Sequence, residues 1–121
     1  MAQKKTLVMG ASANPARYSN KAILKLRYYN HPVVAVGSKP AQVEDVTIIT
    51  DLSDFKGIDT VTMYLNADRQ KPLEEYILSL HPKRIIFNPG AENESLKKKA
   101  EKQGIECEEA CTLVMLTIGD Y

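Results

Sequence analysis

Short apolar runs alternate along the chain with segments in which apolar residues recur every three or four positions. The runs are bounded by turn-forming residues, and this pattern predicts strands. Continuous runs such as Val33 to Val36 are typical of strands that are buried on both faces of a sheet. The main predicted strands are residues 5–9, 33–36, 60–65, 84–87 and 105–109, with residues 46–49 as a candidate for a short extra strand.

The segments between these strands have the spacing of amphipathic helices. In the first of them, Ala22, Ile23 and Leu26 fall on one face. Pro72 is suited to the first position of a later helix. Helices are therefore predicted over residues 19–30, 72–80, 92–103 and 111–116, with a single helical turn over residues 52–55.

The alternation of strands and helices predicts the fold class. It indicates an α/β protein of three layers, with a mainly parallel sheet between two layers of helices. Five main strands, with a glycine-containing loop after the first, favour a Rossmann-like order, 3-2-1-4-5. The length of 121 residues indicates one domain, residues 1–121. In such a sheet, a ligand binds at the carboxyl ends of the strands, where the strand order reverses.

Loops rich in Gly, Pro, Asn and Ser follow four of the predicted strands. They are residues 10–17, 37–40, 66–69 and 88–91. Small residues let a ligand approach the backbone, whose N–H groups can bind phosphate. The same residue types also form ordinary turns. The pattern therefore predicts a phosphate site if the strand order brings these loops together at one edge of the sheet.

The first loop departs from the G-x-G-x-x-G pattern of dinucleotide-binding proteins. Ser12 and Pro15 stand where the second and third glycines are expected. The second main strand is followed by Lys39 rather than by the acid that binds the ribose of NAD. A cation there suits a ribose with an extra phosphate, as in NADP or coenzyme A. Arg17 can bind a phosphate through two hydrogen bonds. NADP and coenzyme A therefore both remain possible ligands.

Composition and charge narrow the class of protein. The formal net charge is +1, so no overall field favours binding to nucleic acid. No apolar run approaches the ~20 residues of a membrane span, and the polar start does not resemble a secretion signal, so a cytoplasmic protein is expected. Cys107 and Cys111 stand four residues apart without a nearby His, so neither a disulfide framework nor a metal site is predicted.

Four stretches of the sequence resemble a known family. They are GASANPARYSNKAI, PVVAVGSKP, TVTMYLN and RIIFNPGAENE, of which the first is the most specific. Over nearly its whole length the chain is similar to the small CoA-binding domains, including the amino-terminal domain of the succinyl-CoA synthetase α subunit. The resemblance implies a fold that binds coenzyme A or an acyl-CoA. It does not imply the ligase reaction, which needs a phosphorylated His on a further domain and a partner subunit.

The resemblance also implies which residues contact the cofactor. The phosphate cradle would be formed by Gly10, Ala11, Ser12, Asn14, Arg17, Tyr18 and Asn20. Gly37, Ser38 and Lys39 would border the ribose phosphate. Leu65 and Asn66 would flank the adenine, and Asn88 and Pro89 would lie beside the pantetheine.

No arrangement of residues predicts catalysis by the chain alone. Cys111, Ser12 and Ser38 are candidate nucleophiles, but no His is expected at their edge of the sheet. Three functions stay open. They are a CoA-binding module that is non-catalytic or depends on a partner, a small NADP-dependent oxidoreductase or sensor, and a module with a vestigial nucleotide pocket that acts through protein contacts. The apolar closing helix, residues 113–118, is the candidate for a two-fold contact between copies.

Overall fold

The structure is a computed structural model that describes residues 2–121, so Met1 of the expected domain lies outside the described residues. Its strands are β1 (Thr6–Ala11), β2 (Val33–Gly37), β3 (Ala41–Val43), β4 (Val46–Ile49), β5 (Thr60–Met63), β6 (Arg84–Phe87) and β7 (Glu106–Glu109). Its α-helices are α1 (Tyr18–Tyr28), α2 (Ala67–Gln70), α3 (Glu74–Ser79), α4 (Glu94–Lys102) and α5 (Thr112–Ile118), and a 3-10 turn, Lys71–Leu73, joins α2 to α3.

The seven strands form one sheet in the order β3-β4-β2-β1-β5-β6-β7. Every neighbouring pair is parallel except β3 and β4. The α/β class and the mainly parallel sheet are thus confirmed, but the predicted five strands and their order 3-2-1-4-5 are wrong. The third main strand, β5, pairs with β1, because β4 occupies the place beside β2.

The error in the strand order comes from a hairpin that the apolar pattern revealed only in part. β3 and β4 pair in antiparallel fashion, from Ala41 opposite Ile48 to Val43 opposite Val46. β3 has only three residues, and its central Gln42 is exposed, so it forms no continuous apolar run. Residues 46–49 were therefore expected only as a short extra strand, whereas they form β4 and connect this hairpin to the main sheet.

Two helical predictions also differ from the structure. Residues 52–55 form no helical turn. The helix expected over residues 72–80 is present as the 3-10 turn followed by α3, with Pro72 inside the turn, where its missing N–H interrupts the regular α-helical pattern between α2 and α3. Among residues 2–121, none of the helices is long and apolar enough to cross a membrane.

Helices cover both faces of the sheet and form two apolar cores. α3 and α4 pack on one face through side chains that include Ile77 and Leu96. α1 and α5 pack on the other face through side chains that include Ile23 and Met115. Residues 7–9 of β1 lie between the two cores with no exposed surface. Burial on both faces explains why the central strands are continuous apolar runs.

Both histidines lie at the amino edge of the sheet, away from the loops that follow the strands. His31 is fully buried, and its Nδ1 accepts a hydrogen bond from the backbone N–H of Lys4 at 2.9 Å. Its ring contacts the ring of Tyr121, with centroids 4.9 Å apart. The guanidinium of Arg84 lies over the same Tyr121 ring, 4.5 Å from its centroid. His31 is therefore a buried structural residue of this edge.

Candidate ligand-binding site

The carboxyl ends of five parallel strands border one open cleft of about 1100 Å³. We call it the carboxyl-edge cleft. It is lined by residues 9–12, 16–19, 36–38, 50, 52, 64–66, 69, 73 and 89–91. Each of the four small-residue loops singled out in the sequence contributes to this lining. The parallel pairing of β2, β1, β5 and β6 therefore brings these loops to one edge, as the expected site requires.

Gly10 shapes the start of the first loop. It lies at an irregularity in the pairing of β1 with β2, between Met9 and Ala11, and its φ of +87° is in the region that favours glycine. A Cβ at this position would lie 3.1 Å from the side chain of Leu65 and from the backbone of Tyr64. Glycine therefore permits both the bulge and the close packing of the segment after β5 against β1.

Short hydrogen bonds hold the rest of the first loop in shape. The N–H of Asn14 donates to the Ser12 hydroxyl, and the N–H of Ala16 donates to Oδ1 of Asn14, both at 3.0 Å. Asn20 is buried, and its Nδ2 donates to the carbonyl oxygen of Ser12 at 3.0 Å. Neither Asn14 nor Asn20 lines the carboxyl-edge cleft. These two residues of the expected cradle thus form the loop rather than its ligand-facing surface.

The loop ends at the amino terminus of α1, where the backbone offers donors to the cleft. Arg17 is the residue before the helix and makes no side-chain cap. Within the described chain, the N–H groups of Tyr18 and Ser19 have no protein acceptor, as expected for the first turn of a helix. Both residues line the cleft. Free N–H groups and the positive end of the helix dipole favour an anion at this point.

The end of β2 approaches β1 very closely. A Cβ on Gly37 would lie 2.3 Å from the carbonyl oxygen of Ala11 and 3.0 Å from Cγ2 of Ile48. Gly37 and Ser38 line the cleft, whereas Lys39 is exposed and lies outside the lining. Lys39 can reach the cleft only as a flexible side chain at its rim.

On the other side of β1, the ends of β5 and β6 form the opposite wall. Leu65, Asn66 and Pro89 line this wall. Asn88, however, is buried, with its Nδ2 donating to Thr62 Oγ1 at 2.7 Å and to the Met63 carbonyl oxygen at 2.8 Å. Its Oδ1 accepts from the N–H of Thr112 at 2.9 Å. Asn88 thus connects β5, β6 and α5, and both polar atoms of its side chain are already hydrogen-bonded within the protein.

The charged side chains in the described lining of the carboxyl-edge cleft all have the same sign. Of the described residues that line the cleft, Arg17 and Arg69 are the charged ones, and no acid accompanies them. Both arginines are exposed, and neither has a carboxylate within 4.0 Å in residues 2–121. An anionic ligand would therefore meet two unpaired guanidinium groups.

Several lining residues were not identified from the sequence. Thr50 and Leu52 follow β4 and form the wall beside Ser38. They could have been found only from the correct strand order, which puts β4 next to β2. Arg69 lies in a loop that the sequence singled out, but no role was assigned to it. Leu73, the last residue of the 3-10 turn, also lines the cleft.

The cleft offers binding groups rather than a reactive pair. Tyr64 contributes to the lining, but its side chain packs against the core beneath α1 and α5, and burial raises the pKa of the phenol well above its usual value. On β7, burial raises the pKa of the Cys107 thiol to about 11, so this thiol is protonated at neutral pH. The polar groups of the cleft include hydroxyls, backbone N–H groups, the Asn66 amide and guanidinium groups, which suit phosphate recognition.

Comparisons with known proteins agree with this chemistry. A family model described as a CoA binding domain matches residues 4–117. No curated protein matches the chain. A crystal structure described as that of an uncharacterized protein is 45% identical, covers 100% of both chains and has a TM-score of 0.97.

More distant structures share the fold. A protein from Thermus thermophilus is 18% identical, with a TM-score of 0.85 over 98% of this chain and 91% of that chain. A hypothetical protein from Pyrococcus horikoshii OT3 is 23% identical, with a TM-score of 0.82 over 93% of this chain and 80% of that chain. At these identities, the similarity concerns the fold alone.

Proposed function

The chain belongs to the family of CoA-binding domains, and on that premise we propose that it binds coenzyme A or an acyl-CoA in the carboxyl-edge cleft. The observation that carries the proposal is the charge of the lining, in which Arg17 and Arg69 are unpaired and no acid is present. Coenzyme A carries a diphosphate and a 3′-phosphate. A cleft with this lining favours such a polyanion over neutral compounds.

The diphosphate binds at the amino terminus of α1 in this proposal. There, the N–H groups of Tyr18 and Ser19 and the backbone near Gly10 and Ser12 surround one end of the cleft floor. Arg17 stands at the same place and can donate two hydrogen bonds to phosphate oxygens. The helix dipole adds to this attraction within the first turn.

The adenosine binds on the side of β2 and β4. Ser38, Thr50 and Leu52 form this side, with Val36 in the floor. Leu52 is 46% exposed, which leaves apolar surface for a purine ring. Lys39 at the rim would meet the 3′-phosphate. From the resemblance, the adenine was expected beside Leu65 and Asn66. In the present proposal it lies at the end of β4 instead, because β5 and Ser38 are on opposite sides of β1.

The pantetheine then extends across β1 to the side of β5 and β6. Leu65, Asn66 and Pro89 offer it a half-apolar wall. Asn88 supports that wall from beneath through its bonds to Met63 and Thr112. Since no nucleophile and base are paired in the cleft, we propose a binding role, with any reaction supplied by a partner protein.

A contact between two copies of the chain belongs to the same proposal. On α5, Val114 is 54% exposed and Ile118 is 67% exposed, and the two side chains stand four residues apart on one face of the helix. Sedimentation equilibrium of the protein and of Ile118→Glu measures the mass directly. A monomeric mass for both proteins at high concentration would refute the two-fold contact and leave the binding role intact.

Equilibrium dialysis at low salt against CoA, NADP and ATP tests the proposed function. We expect CoA to be retained most strongly, because only CoA has both a 3′-phosphate and a pantetheine arm. Preferential retention of NADP would favour an oxidoreductase or sensor. Retention of none of the three would indicate a vestigial pocket and refute the proposal.

A further inference from the structure

The wall formed by β5 and β6 carries an arginine that stands on a firmly held backbone. Arg69 lies on α2, and its N–H donates to Oδ1 of Asn66 at 2.9 Å. The next residue, Gln70, is fully buried, and its Nε2 donates to the carbonyl oxygens of Leu65 and Ala91, both at 2.7 Å. α2 is thereby tied to both loops of this wall, so the position from which the Arg69 side chain extends is fixed.

A buried network behind α2 reinforces this position. Asn93 Nδ2 donates to Oε1 of Gln70 and to Oε2 of Glu74, each at 3.0 Å. Lys99 Nζ donates to Oε1 of Glu74, also at 3.0 Å. The Glu74 carboxylate is buried, and its bonds to Asn93 and Lys99 lower its pKa against the opposing effect of burial. The Glu74 carboxylate is therefore engaged by other partners, and it forms no ion pair with Arg69 within 4.0 Å.

The Arg69 side chain itself is exposed and unpaired. No carboxylate among residues 2–121 lies within 4.0 Å of its guanidinium, although Arg27, Arg84 and Lys99 all have such partners. The lining residues on this side, Leu73, Pro89, Gly90 and Ala91, are themselves uncharged, and the Glu92 carboxylate beside them accepts a hydrogen bond from the Gly90 N–H at 3.0 Å. A cation at the end of an uncharged wall is suited to an anion that arrives on an apolar arm.

We propose that Arg69 binds a carboxylate at the far end of the acyl group, so that the cleft prefers CoA thioesters of dicarboxylic acids to those of neutral acids. This inference rests on the proposed function, because it takes the thiol end of CoA to lie on the side of β5 and β6. Arg17 and Arg69 then bind different anionic groups of the same ligand. Arg17 binds the diphosphate beside α1, and Arg69 binds the acyl carboxylate across β1.

Matched pairs of thioesters test this division. Calorimetric titration compares malonyl-CoA with propionyl-CoA and glutaryl-CoA with valeryl-CoA, on the wild type, Arg69→Ala and Lys71→Ala. Each pair has equal carbon number and differs in the terminal carboxylate. Lys71 is an exposed cation two residues away that does not line the cleft, so Lys71→Ala is the control for net charge.

We expect at least one dicarboxylic thioester to bind the wild type roughly tenfold more tightly than its neutral partner. Arg69→Ala should abolish that preference and weaken the dicarboxylic thioesters much more than free CoA, while Lys71→Ala should retain the preference. Binding of CoA without any preference in the wild type would overturn the inference alone. An equal loss for free CoA and all thioesters in Arg69→Ala would put Arg69 on the diphosphate and also overturn it. Failure of every CoA compound to bind would refute the proposed function itself, and the inference with it.

Discussion

The carbonyl oxygen of Ala11 lies so close to Gly37 that a Cβ on Gly37 would stand 2.3 Å from it. The two residues are partners in the pairing of β1 with β2, so both positions are fixed by backbone hydrogen bonds. A flexible side chain could move aside, but a paired carbonyl group can move only if the strands separate. The first loop and the end of β2 therefore meet at a contact that tolerates no side chain.

Gly37→Ala should lower the free energy of unfolding by roughly 1–3 kcal/mol, the usual cost of overpacking. Urea unfolding followed by circular dichroism measures the change. Ser38→Ala, at the exposed next position, is the control and should change stability by less than about 0.5 kcal/mol. Equal stability of Gly37→Ala and the wild type would contradict the close approach of the two strands.

Asn20→Ala should destabilise the unliganded protein by about 1–2 kcal/mol, because it leaves the Ser12 carbonyl without its Nδ2 donor. Asn20 is buried, so water cannot easily replace the donor. The same urea measurement tests this, with Asn14→Ala as a comparison at an exposed position of the loop. If Asn20 only contacted a ligand, Asn20→Ala would not change the stability of the unliganded protein. That result would contradict the structural role of Asn20.

Much of the first loop and its surroundings could be predicted from the sequence. The sequence predicts a helix over residues 19–30, and Asn30 lies just after the end of α1 with a φ of +66°, in the left-handed region that asparagine tolerates better than most residues. Loops that follow parallel strands must lie at one edge, so the gathering of Gly10, Gly37 and Pro89 at one cleft follows from the strand pattern. The local sequence pattern and the parallel direction of the strands are sufficient to predict these features.

The remaining features depend on contacts between distant parts of the chain. β3 has no apolar pattern of its own and forms by pairing with β4, so the position of β4 beside β2 could not be read from periodicity. The inward orientation of Asn88 depends on Met63 and Thr112, which are more than 20 residues away. The sequence therefore indicated which loops form the cleft but not which of their side chains face it.

The buried His31 should make stability depend on pH in the mildly acidic range. Burial, with Lys4 and Arg84 nearby, lowers the pKa of His31 in the folded protein below its ordinary value of 6.5. The folded state then binds fewer protons than the unfolded chain. Stability from this residue is complete above pH 6.5 and is lost as the pH falls below that value towards the folded pKa.

Urea unfolding at pH 7.5 and pH 5.5 measures this dependence. The wild type should lose more stability than His31→Gln over the interval, with a difference of at most about 1.4 kcal/mol per pH unit for one proton. For each protein, the change in stability between the two pH values is compared, because His31→Gln also changes packing and so shifts stability at both pH values. Parallel pH dependence in the two proteins would contradict a neutral, buried imidazole.

Lys39→Ala should reduce the preference for CoA over dephospho-CoA. Lys39 stands at the rim beside Ser38, so it can meet the 3′-phosphate as an exposed charge. Such a contact is weak, so the ratio of the two dissociation constants should fall by at most about fivefold at low salt and by less at high salt. Competition titrations of both ligands measure the ratio. The same ratio in both proteins would assign the 3′-phosphate to another residue.

Calorimetric titration of CoA into the wild type, Arg17→Ala, Arg17→Lys and Lys98→Ala tests the central claim most directly. Lys98 is an exposed cation of α4 outside the cleft and serves as the control for charge. We predict that Arg17→Ala weakens CoA binding roughly tenfold or more, that Arg17→Lys recovers only part of it, and that Lys98→Ala binds as the wild type does. Wild-type affinity in Arg17→Ala, or no CoA binding by the wild type, would contradict a diphosphate site at the amino terminus of α1.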